Sequence, residues 1–152
     1  MWQNARDTYL EGRVLSADPV ELVDLLYQAA TDAVSDARRY LSAGDILARA
    51  RSISKACDVL AELTVALDHD RGGSLSKRLA QLYGYMHGRL VEANFRQSDV
   101  PLAEVAGLLV TLKEAWQGVA LETRNALRGE TPWMHGMPQE PELANASGGW
   151  SY

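Results

Sequence analysis

The sequence predicts an all-α fold, an antiparallel up-down four-helix bundle with an N-terminal docking segment. Three observations lead to this prediction. Apolar residues recur at spacings of three and four along four stretches of the chain, which is the period of a helical face. Short breaks rich in glycine, proline and aspartate separate the stretches, and short joints make sequential helices antiparallel neighbours. No stretch shows the alternation of apolar and polar residues that is typical of a half-buried strand.

The first helix is predicted to open at the segment Asp18-Pro19-Val20-Glu21. Asp18 is a suitable N-cap, Pro19 suits the first helical position and Glu21 completes a capping-box arrangement. Gly44 is expected to end the helix, because glycine tolerates the left-handed backbone of a C-terminal cap. The apolar residues of its predicted core face are Leu22, Leu25, Leu26, Ala29, Ala33, Ala37, Tyr40 and Leu41.

The second and third helices meet at a glycine-rich break. Asp45 can cap the second helix, the segment 70–73 interrupts it, and Ser74 can cap the third. The core face of the second helix is predicted to hold Ile46, Ala50, Ile53, Cys57, Leu60, Thr64 and Leu67. The corresponding residues of the third helix are Leu75, Leu79, Leu82, Met86, Leu90 and Ala93.

The fourth helix follows the break at Ser98-Asp99-Val100-Pro101, because the residue before a proline is pushed out of the α region. It is expected to end near Gly129. Its core face is predicted to hold Leu102, Val105, Leu109, Leu112, Trp116, Val119 and Thr123. The bundle therefore covers residues 16–129. Residues 1–15 form a short cap segment able to dock, and residues 130–152, rich in proline and glycine, form a tail that we expect to be disordered.

Composition excludes several classes of function. The formal net charge is −5, from 20 acidic and 15 basic residues, so we do not expect nucleic acid as a partner. No apolar run approaches the roughly 20 residues that a spanning helix needs, which argues against membrane insertion. Cys57 is the one cysteine, which suits a reducing compartment, and the first residues lack the apolar core of a signal peptide. A cytoplasmic protein is expected.

The residue patterns of catalysis and metal binding are missing from the sequence. It holds no Glu-x-x-His pair, no His-Glu-x-x-His run, no glycine-rich phosphate loop and no paired cysteines. The cluster Asp68-His69-Asp70 is better explained as a solvated helix end than as a set of metal ligands. Cys57 lies on a predicted core face, where a free cysteine is usually inert. We therefore expect no enzyme activity, no cofactor and no metal.

The helices carry a second apolar stripe beside the first, although one stripe suffices for a bundle core. Its residues are Val20, Val23, Tyr27, Ala30 and Val34 on the first helix, Ala56, Val59, Leu63 and Ala66 on the second, and Gly84, Gly88, Val91 and Phe95 on the third. Gly84 and Gly88 suggest a close approach by another group, since each costs about 1 kcal/mol relative to alanine in a helix. Two interpretations remain open: the stripes fill a tight bundle together with residues 1–15, or they bind a partner.

Four runs of residues carry the sequence pattern of one known protein family. Val14 to Tyr27 resembles the family's entry into the first helix, and Lys55 to Asp68 its second helix. The third helix is the most specific match, with Leu79, Leu82-Tyr83, Tyr85-Met86, Arg89-Leu90 and Glu92-Ala93-Asn94. Leu108 to Trp116 matches the fourth. Over about residues 5–127, in order and spacing, the chain therefore resembles the FliS family of flagellar secretion chaperones.

The resemblance implies an antiparallel bundle that binds the C-terminal region of flagellin in the bacterial cytosol, prevents premature polymerisation and assists delivery to the flagellar type III export apparatus. It also implies that an N-terminal segment acts as a displaceable cap. The partner-site residues that it implies are Tyr9, Leu10, Val14 and Leu15 in the cap, and Leu60, Leu63, Leu67, Tyr83, Met86, Leu90 and Asn94 in the bundle. Stripe position makes Leu60, Leu67, Met86 and Leu90 equally plausible as plain core residues.

Two features depart from the family pattern. Gly84 and Gly88 stand where larger polar residues are expected, so the third helix is predicted to bind its client differently. The tail with Trp133 and Trp150 lies outside the family core. The alternative is a helical chaperone or adaptor for a different secreted or signalling protein. The sequence leaves open the flagellin paralogue, the affinity and whether the chain forms a homodimer.

Overall fold

The computed structural model describes residues 19–127, and every regular element in that range is an α-helix. The helices are α1 (Pro19–Ala43), α2 (Ile46–Val65), α3 (His69–Arg96) and α4 (Asp99–Leu127). The all-α bundle predicted from the sequence is confirmed. The predicted cap segment 1–15 and tail 130–152 lie outside the described residues, so the proposed division of the chain stays a prediction.

The chain divides into two compact units, with the boundary between Gln117 and Gly118. The first unit holds α1 to α3 and α4 as far as Gln117. The described part of the second unit is residues 118–127, where the Thr123 hydroxyl donates a hydrogen bond to the carbonyl of Val119. None of the helices within residues 19–127 is both long enough and apolar enough to cross a membrane.

The turn between α1 and α2 has the residues that its backbone requires. Gly44 adopts φ +74°, a left-handed conformation that costs a residue with a side chain about 1–2 kcal/mol. Asp45 then caps α2, because its carboxylate accepts a hydrogen bond from the backbone N–H of Ala48 at 3.1 Å. The predicted helix end at Gly44 and the predicted N-cap at Asp45 are both confirmed.

The start of α3 differs from the sequence prediction. Asp68, and not Ser74, is the N-cap: its carboxylate accepts from the backbone N–H groups of Asp70 and Arg71, each at 3.1 Å. Gly73 still interrupts the helix, since φ 53° and ψ −125° are not helical and produce a kink. The glycine pair therefore bends α3 after its first turn and does not precede it.

A left-handed residue also ends α3. Gln97 has φ 52°, and the carbonyl of Ala93 accepts hydrogen bonds from the N–H groups of Gln97 and Ser98. The Ser98 hydroxyl accepts from the N–H of Val100 at 3.3 Å, and α4 begins at Asp99. The predicted break therefore occurs, but at Gln97 and Ser98. Asp99, Val100 and Pro101 form the first turn of α4, so the expectation that Val100 leaves the α region is wrong.

The core uses more of the apolar surface than one stripe per helix. On α1 both predicted stripes contribute to the core, since Tyr27, Ala30 and Val34 of the second are at most 3% exposed, as are Ala33 and Ala37 of the first. Ala56 and Leu63 of the second stripe on α2 are also buried, together with Ile53 and Leu60 of the first. These second-stripe residues therefore fill the bundle, which is one of the two interpretations that the sequence left open, because each helix packs between two neighbours and buries a wide face.

Hydrogen bonds across the bundle give the relative direction of two helix pairs. Residues taken in descending order along α1 bond to residues in ascending order along α4: Arg38 to Asp99, Gln28 to Lys113 and Asp24 to Gln117. On α2 and α3, Arg49 near one end bonds to Asn94, and residues 57–64 lie opposite residues 80–87. Both pairs are therefore antiparallel.

Candidate partner-binding site

An open groove runs between α2 and α3. It has a volume of about 460 Å³. Its lining residues are Cys57, Asp58, Leu60, Ala61 and Thr64 on α2, and Ala80, Tyr83, Gly84 and His87 on α3. The small side chains of Ala61 and Ala80, together with Gly84, leave the space between the two helices unfilled. The groove is wide enough to take side chains of another polypeptide.

Two of the predicted partner-site residues lie in this groove. Leu60 and Tyr83 line it, although each is at most 3% exposed and belongs mainly to the core. Leu63, Met86 and Leu90 are buried among the core residues and reach no groove surface. Of the residues for which the sequence left core and partner roles open, the structure places Leu60, Met86 and Leu90 in the core of the free chain. Their contact with a partner stays a prediction.

The other predicted site residues are dispersed. Leu67 is half-buried and packs against the core cluster at the end of α2. Asn94 is half-buried near the end of α3, where its side-chain oxygen accepts a hydrogen bond from the guanidinium of Arg49 at 3.1 Å. Tyr9, Leu10, Val14 and Leu15 lie outside the described residues.

Gly84 and Gly88 face open space. A Cβ atom built at either position would have no neighbouring atom within 4 Å. The close approach that the sequence suggested at these glycines is therefore not made by any residue in the range 19–127. Gly84 forms part of the groove wall, whereas Gly88 lies one turn beyond it.

A pair of tyrosine hydroxyls lies beside the groove floor. The hydroxyl oxygens of Tyr27 on α1 and Tyr83 on α3 are 2.5 Å apart, and both side chains are buried. Burial raises the pKa of both phenols, and for Tyr83 the hydrogen bond to Tyr27 raises its pKa further. Both phenols therefore stay protonated at neutral pH, and the pair connects α1 to α3.

Cys57 on the groove wall has the properties of an unreactive thiol. It is half-buried and free of any disulfide. Burial raises its pKa, and the nearby carboxylate of Asp58 raises the pKa further. The protonated thiol is a poor nucleophile and a poor metal ligand. Within residues 19–127, no three His, Cys, Asp or Glu side chains are grouped so that they could hold a metal ion.

A charged network lies on the side of α3 that faces α4. The Glu104 carboxylate accepts hydrogen bonds from the Tyr85 hydroxyl at 2.5 Å and from the Arg89 guanidinium at 3.1 Å. Arg89 also bonds Glu92 at 2.7 Å, and Arg96 lies 3.5 Å from the same carboxylate. The Tyr85 hydrogen bond, followed by that of Arg89, lowers the pKa of Glu104. This network ties α3 to α4 on the edge away from the groove.

Sequence reasoning did not find most of the groove residues. None of Ala61, Thr64, Ala80 and His87 was assigned to a site, because Thr64 was placed on the predicted core face of the second helix and the other three belong to neither stripe. The spacing of the groove residues could have indicated the groove. Positions 57, 61 and 64 on one helix and 80, 84 and 87 on the next each follow the three-and-four period along a flank.

Comparisons with known proteins point to one family. The family model described as "Flagellar protein FliS" matches residues 2–123. The chain is 37% identical over 112 residues to the flagellar secretion chaperone FliS of Salmonella typhimurium, a match that covers 73% of this chain and 83% of that protein. It is 37% identical over 111 residues to FliSB of Pseudomonas aeruginosa, covering 73% and 88% of the two chains. FliS of Bacillus subtilis is 29% identical over 134 residues, with coverage of 88% and 94%.

Proposed function

Because the chain belongs to the FliS family of flagellar proteins, we propose that it is an export chaperone that binds the C-terminal region of flagellin in the bacterial cytoplasm. The observation that carries the proposal is the open groove between α2 and α3, whose walls are mostly small or apolar side chains. A chaperone of this kind needs such a surface, because its client must bury apolar residues that would otherwise take part in polymerisation.

Client binding is coupled to ordering in this proposal. A disordered client segment loses conformational entropy when it binds, and burial of its apolar residues in the groove offsets that loss. Leu60 and Tyr83 form the floor that the client contacts. Leu63, Met86 and Leu90 hold that floor in place from the core, and half-buried Leu67 extends the apolar surface at the end of α2.

Asn94 is proposed to bond to the client backbone. Its side-chain oxygen is occupied by Arg49. Within residues 19–127 its amide nitrogen has no acceptor, so it is available to donate to a client carbonyl. The segment 1–15, with Tyr9, Leu10, Val14 and Leu15, is proposed to cover part of the apolar surface until the client displaces it. Deletion of residues 1–15 should raise the affinity of the chain for the client.

The proposed activity is binding alone, without catalysis, nucleotide or metal. The relatives are named as chaperones, which supports a role of this kind. Occupying the client's apolar residues blocks premature polymerisation. Release follows when the flagellar type III export apparatus competes for the client or for the complex.

The test is a binding titration of a labelled peptide from the C-terminal region of flagellin, followed by fluorescence anisotropy. Gly84→Leu places a large side chain in the groove wall, whereas Gly107→Leu makes the same change on α4, where a Cβ also meets open space. We expect Gly84→Leu to weaken binding about tenfold or more, because filling a packed contact costs about 1–3 kcal/mol. Gly107→Leu should bind as the unsubstituted chain does.

Two results would count against the proposal. If the unsubstituted chain does not bind the peptide at micromolar concentration, the client is not flagellin, and a chaperone or adaptor for a different protein becomes the better explanation. If Gly84→Leu binds normally, the groove is not the client site. Thermal unfolding of both leucine variants would show that the chain remains folded.

A further inference from the structure

The middle of the groove between α2 and α3 is hollow. Ala61 forms one wall of this hollow, and Ala80 and Gly84 form the other. Leu60 and Tyr83 form its floor, and each is at most 3% exposed. We call the space bounded by these five residues the groove hollow. The one polar side-chain atom among them, the Tyr83 hydroxyl, is already hydrogen-bonded, so the hollow suits an apolar group.

The missing side chain at Gly84 is not required by the fold of residues 19–127. The backbone at Gly84 is helical and has no positive φ, and a Cβ built there would have no neighbour within 4 Å. Glycine destabilises a helix interior relative to alanine, so neither backbone conformation nor packing favours it at this position. Gly84 therefore leaves room for a group that comes from outside this part of the chain.

The walls of the groove suit a helical partner. The backbone N–H and C=O groups of α2 and α3 beside the hollow are bonded within their own helices, so an extended chain would find no backbone partners there. A helix bonds its own backbone and presents side chains at spacings of three and four. The wall positions 57, 61 and 64 and 80, 84 and 87 have the same spacing, so the side chains of a third helix can pack between them.

A carboxylate lies one helical turn along the groove from the hollow. Asp58 is exposed, precedes Ala61 by three positions on α2 and forms no ion pair with any residue in the range 19–127. The residues that line the groove include no Lys or Arg side chain to neutralise it. The groove therefore favours a partner that carries a positive charge at this place and disfavours one that carries a negative charge.

We propose that this groove selects its client by a two-residue pattern on a helix. One large apolar side chain of the client, of the size of leucine, methionine, phenylalanine or tryptophan, occupies the groove hollow. A lysine or arginine one turn away on the same client helix pairs with Asp58. This inference rests on the proposed function, because it takes the groove as the client site, and it adds the chemistry that the client must present there. Gly84 and Asp58 are the residues that determine specificity.

The two contacts differ in what they contribute. The large apolar side chain leaves water when it enters the hollow, so it supplies most of the affinity, and its truncation to alanine should weaken binding tenfold or more. The ion pair with Asp58 forms at an exposed position and adds less affinity. It discriminates among apolar helices, because a like charge opposite Asp58 is repelled.

The test is a selection of helical peptides by the full chain. A displayed library of alanine-rich helices about 16 residues long, with one face randomised, is suitable, because shorter helices are marginal in water. The unsubstituted chain should select peptides that share one large apolar residue and a basic residue three or four positions from it. Asp58→Lys should keep the apolar residue and exchange the basic residue for an acidic one. Gly84→Leu should lose the preference for a large apolar residue, because its own side chain fills the hollow.

Two further variants complete the test. Glu114→Lys is the matched control, because it makes a similar charge change on an exposed position of α4, and it should select the same peptides as the unsubstituted chain. Ala61→Leu fills the hollow from the opposite wall and replaces Gly84→Leu if thermal unfolding shows that variant not to be folded. In the best selected peptide, alanine in place of the large residue should weaken binding to the unsubstituted chain at least tenfold, and to the leucine variants much less.

Three results would overturn the inference: selected peptides without a common pattern, an Asp58→Lys chain that selects the same basic peptides, or leucine variants that still require the large residue. The library contains no flagellin sequence, so the two proposals fail separately. If the flagellin peptide binds but the selected peptides lack the pattern, this inference alone is wrong. If the pattern is found but the flagellin peptide does not bind, the proposed client alone is wrong.

Discussion

At the scale of single residues, the hydroxyl pair of Tyr27 and Tyr83 is the polar contact most deeply placed in the bundle. Each phenol satisfies the other in a region that excludes water. A buried hydroxyl without a partner costs about 1–3 kcal/mol, whereas removal of both hydroxyls leaves no buried polar group that needs a hydrogen-bond partner. The pair therefore affects stability mainly through the penalty for losing one member.

Tyr83→Phe is expected to lower the free energy of unfolding by about 1–2 kcal/mol, because it leaves the Tyr27 hydroxyl buried without its partner. The double substitution Tyr27→Phe and Tyr83→Phe should cost less than the sum of the two single ones. Urea unfolding of the four chains gives the interaction free energy of the pair. Strictly additive losses would show that the hydroxyls act independently.

The same pair predicts a loss of stability in alkali. Burial raises the folded-state pKa of both phenols above the ordinary value of 10.0. Above about pH 10 the unfolded chain therefore releases protons that the folded chain retains, and stability falls as the pH rises. The double phenylalanine variant should lose less stability between neutral pH and pH values above 10. Equal pH slopes for the two chains would contradict the assignment.

At the scale of helices, Arg49 and Asn94 connect α2 to the end of α3. The Arg49 guanidinium is buried, with 4% of the residue exposed, and it donates to the side-chain oxygen of Asn94 at 3.1 Å and to its backbone carbonyl at 3.4 Å. That carbonyl lies in the last turn of α3, where a positive charge is favourable. A buried cation with few partners makes this joint sensitive to substitution.

Asn94→Ala is expected to destabilise the chain by about 1.5–3 kcal/mol, because it removes a hydrogen bond to a charged group and leaves the guanidinium less well satisfied. Arg49→Met in the same chain should recover part of the loss, since the buried charge is then absent. Thermal unfolding of the single and double variants measures both effects. If the double variant is less stable than Asn94→Ala alone, the buried charge of Arg49 is not what destabilises the Asn94→Ala chain.

The glycines of the helices should respond in opposite directions to substitution by alanine. Gly84→Ala should raise the free energy of unfolding by about 0.5–1 kcal/mol, because the position is helical and its Cβ enters open space. Gly44→Ala should lower it by about 1 kcal/mol or more, because φ is +74° there. Chemical unfolding of the two variants measures both changes in the free energy of unfolding. If Gly84→Ala is destabilised, another group must lie close to Gly84 at the groove wall.

At the scale of the whole molecule, the first unit buries most of its apolar surface without a partner. The wide stripes of α1 and α2 pack inside the bundle, as do Leu102, Val105 and Leu109 of α4. An open apolar surface remains at the groove between α2 and α3. A partner therefore adds to a core that is already formed.

Client binding should stabilise the folded chain as a unit. At a free peptide concentration of about one hundred times the dissociation constant, the stabilisation should be about 2.7 kcal/mol, visible as a rise in the unfolding temperature. Amide exchange should slow chiefly around residues 57–64 and 80–87, which line the groove. Slower exchange confined to α1 and α4 would place the client elsewhere.

Much of the fold was predictable from local signals, and particular residues show why. Gly44 and Asp45 marked a helix boundary because their backbone and capping requirements are local. Ser74 was the wrong cap because Asp68 offers a stronger acceptor six residues earlier, and the kink at Gly73 occurs inside the helix. Tyr27 belongs to the second stripe, for which core and partner roles were both left open, and it is a core residue. Periodicity identifies an apolar face but not the neighbour that covers it.

The sequence by itself determined the four helices within residues 19–127, the boundary at Gly44 and Asp45, and the family, because these depend on caps, spacing and residue identity along the chain. Only the tertiary structure decided which apolar stripe is buried, that Leu63, Met86 and Leu90 are core, and that a groove opens between α2 and α3. The physical reason is that burial depends on how each helix is rotated against its neighbours, and a rotation of one residue, about 100°, moves a side chain from the core to the surface.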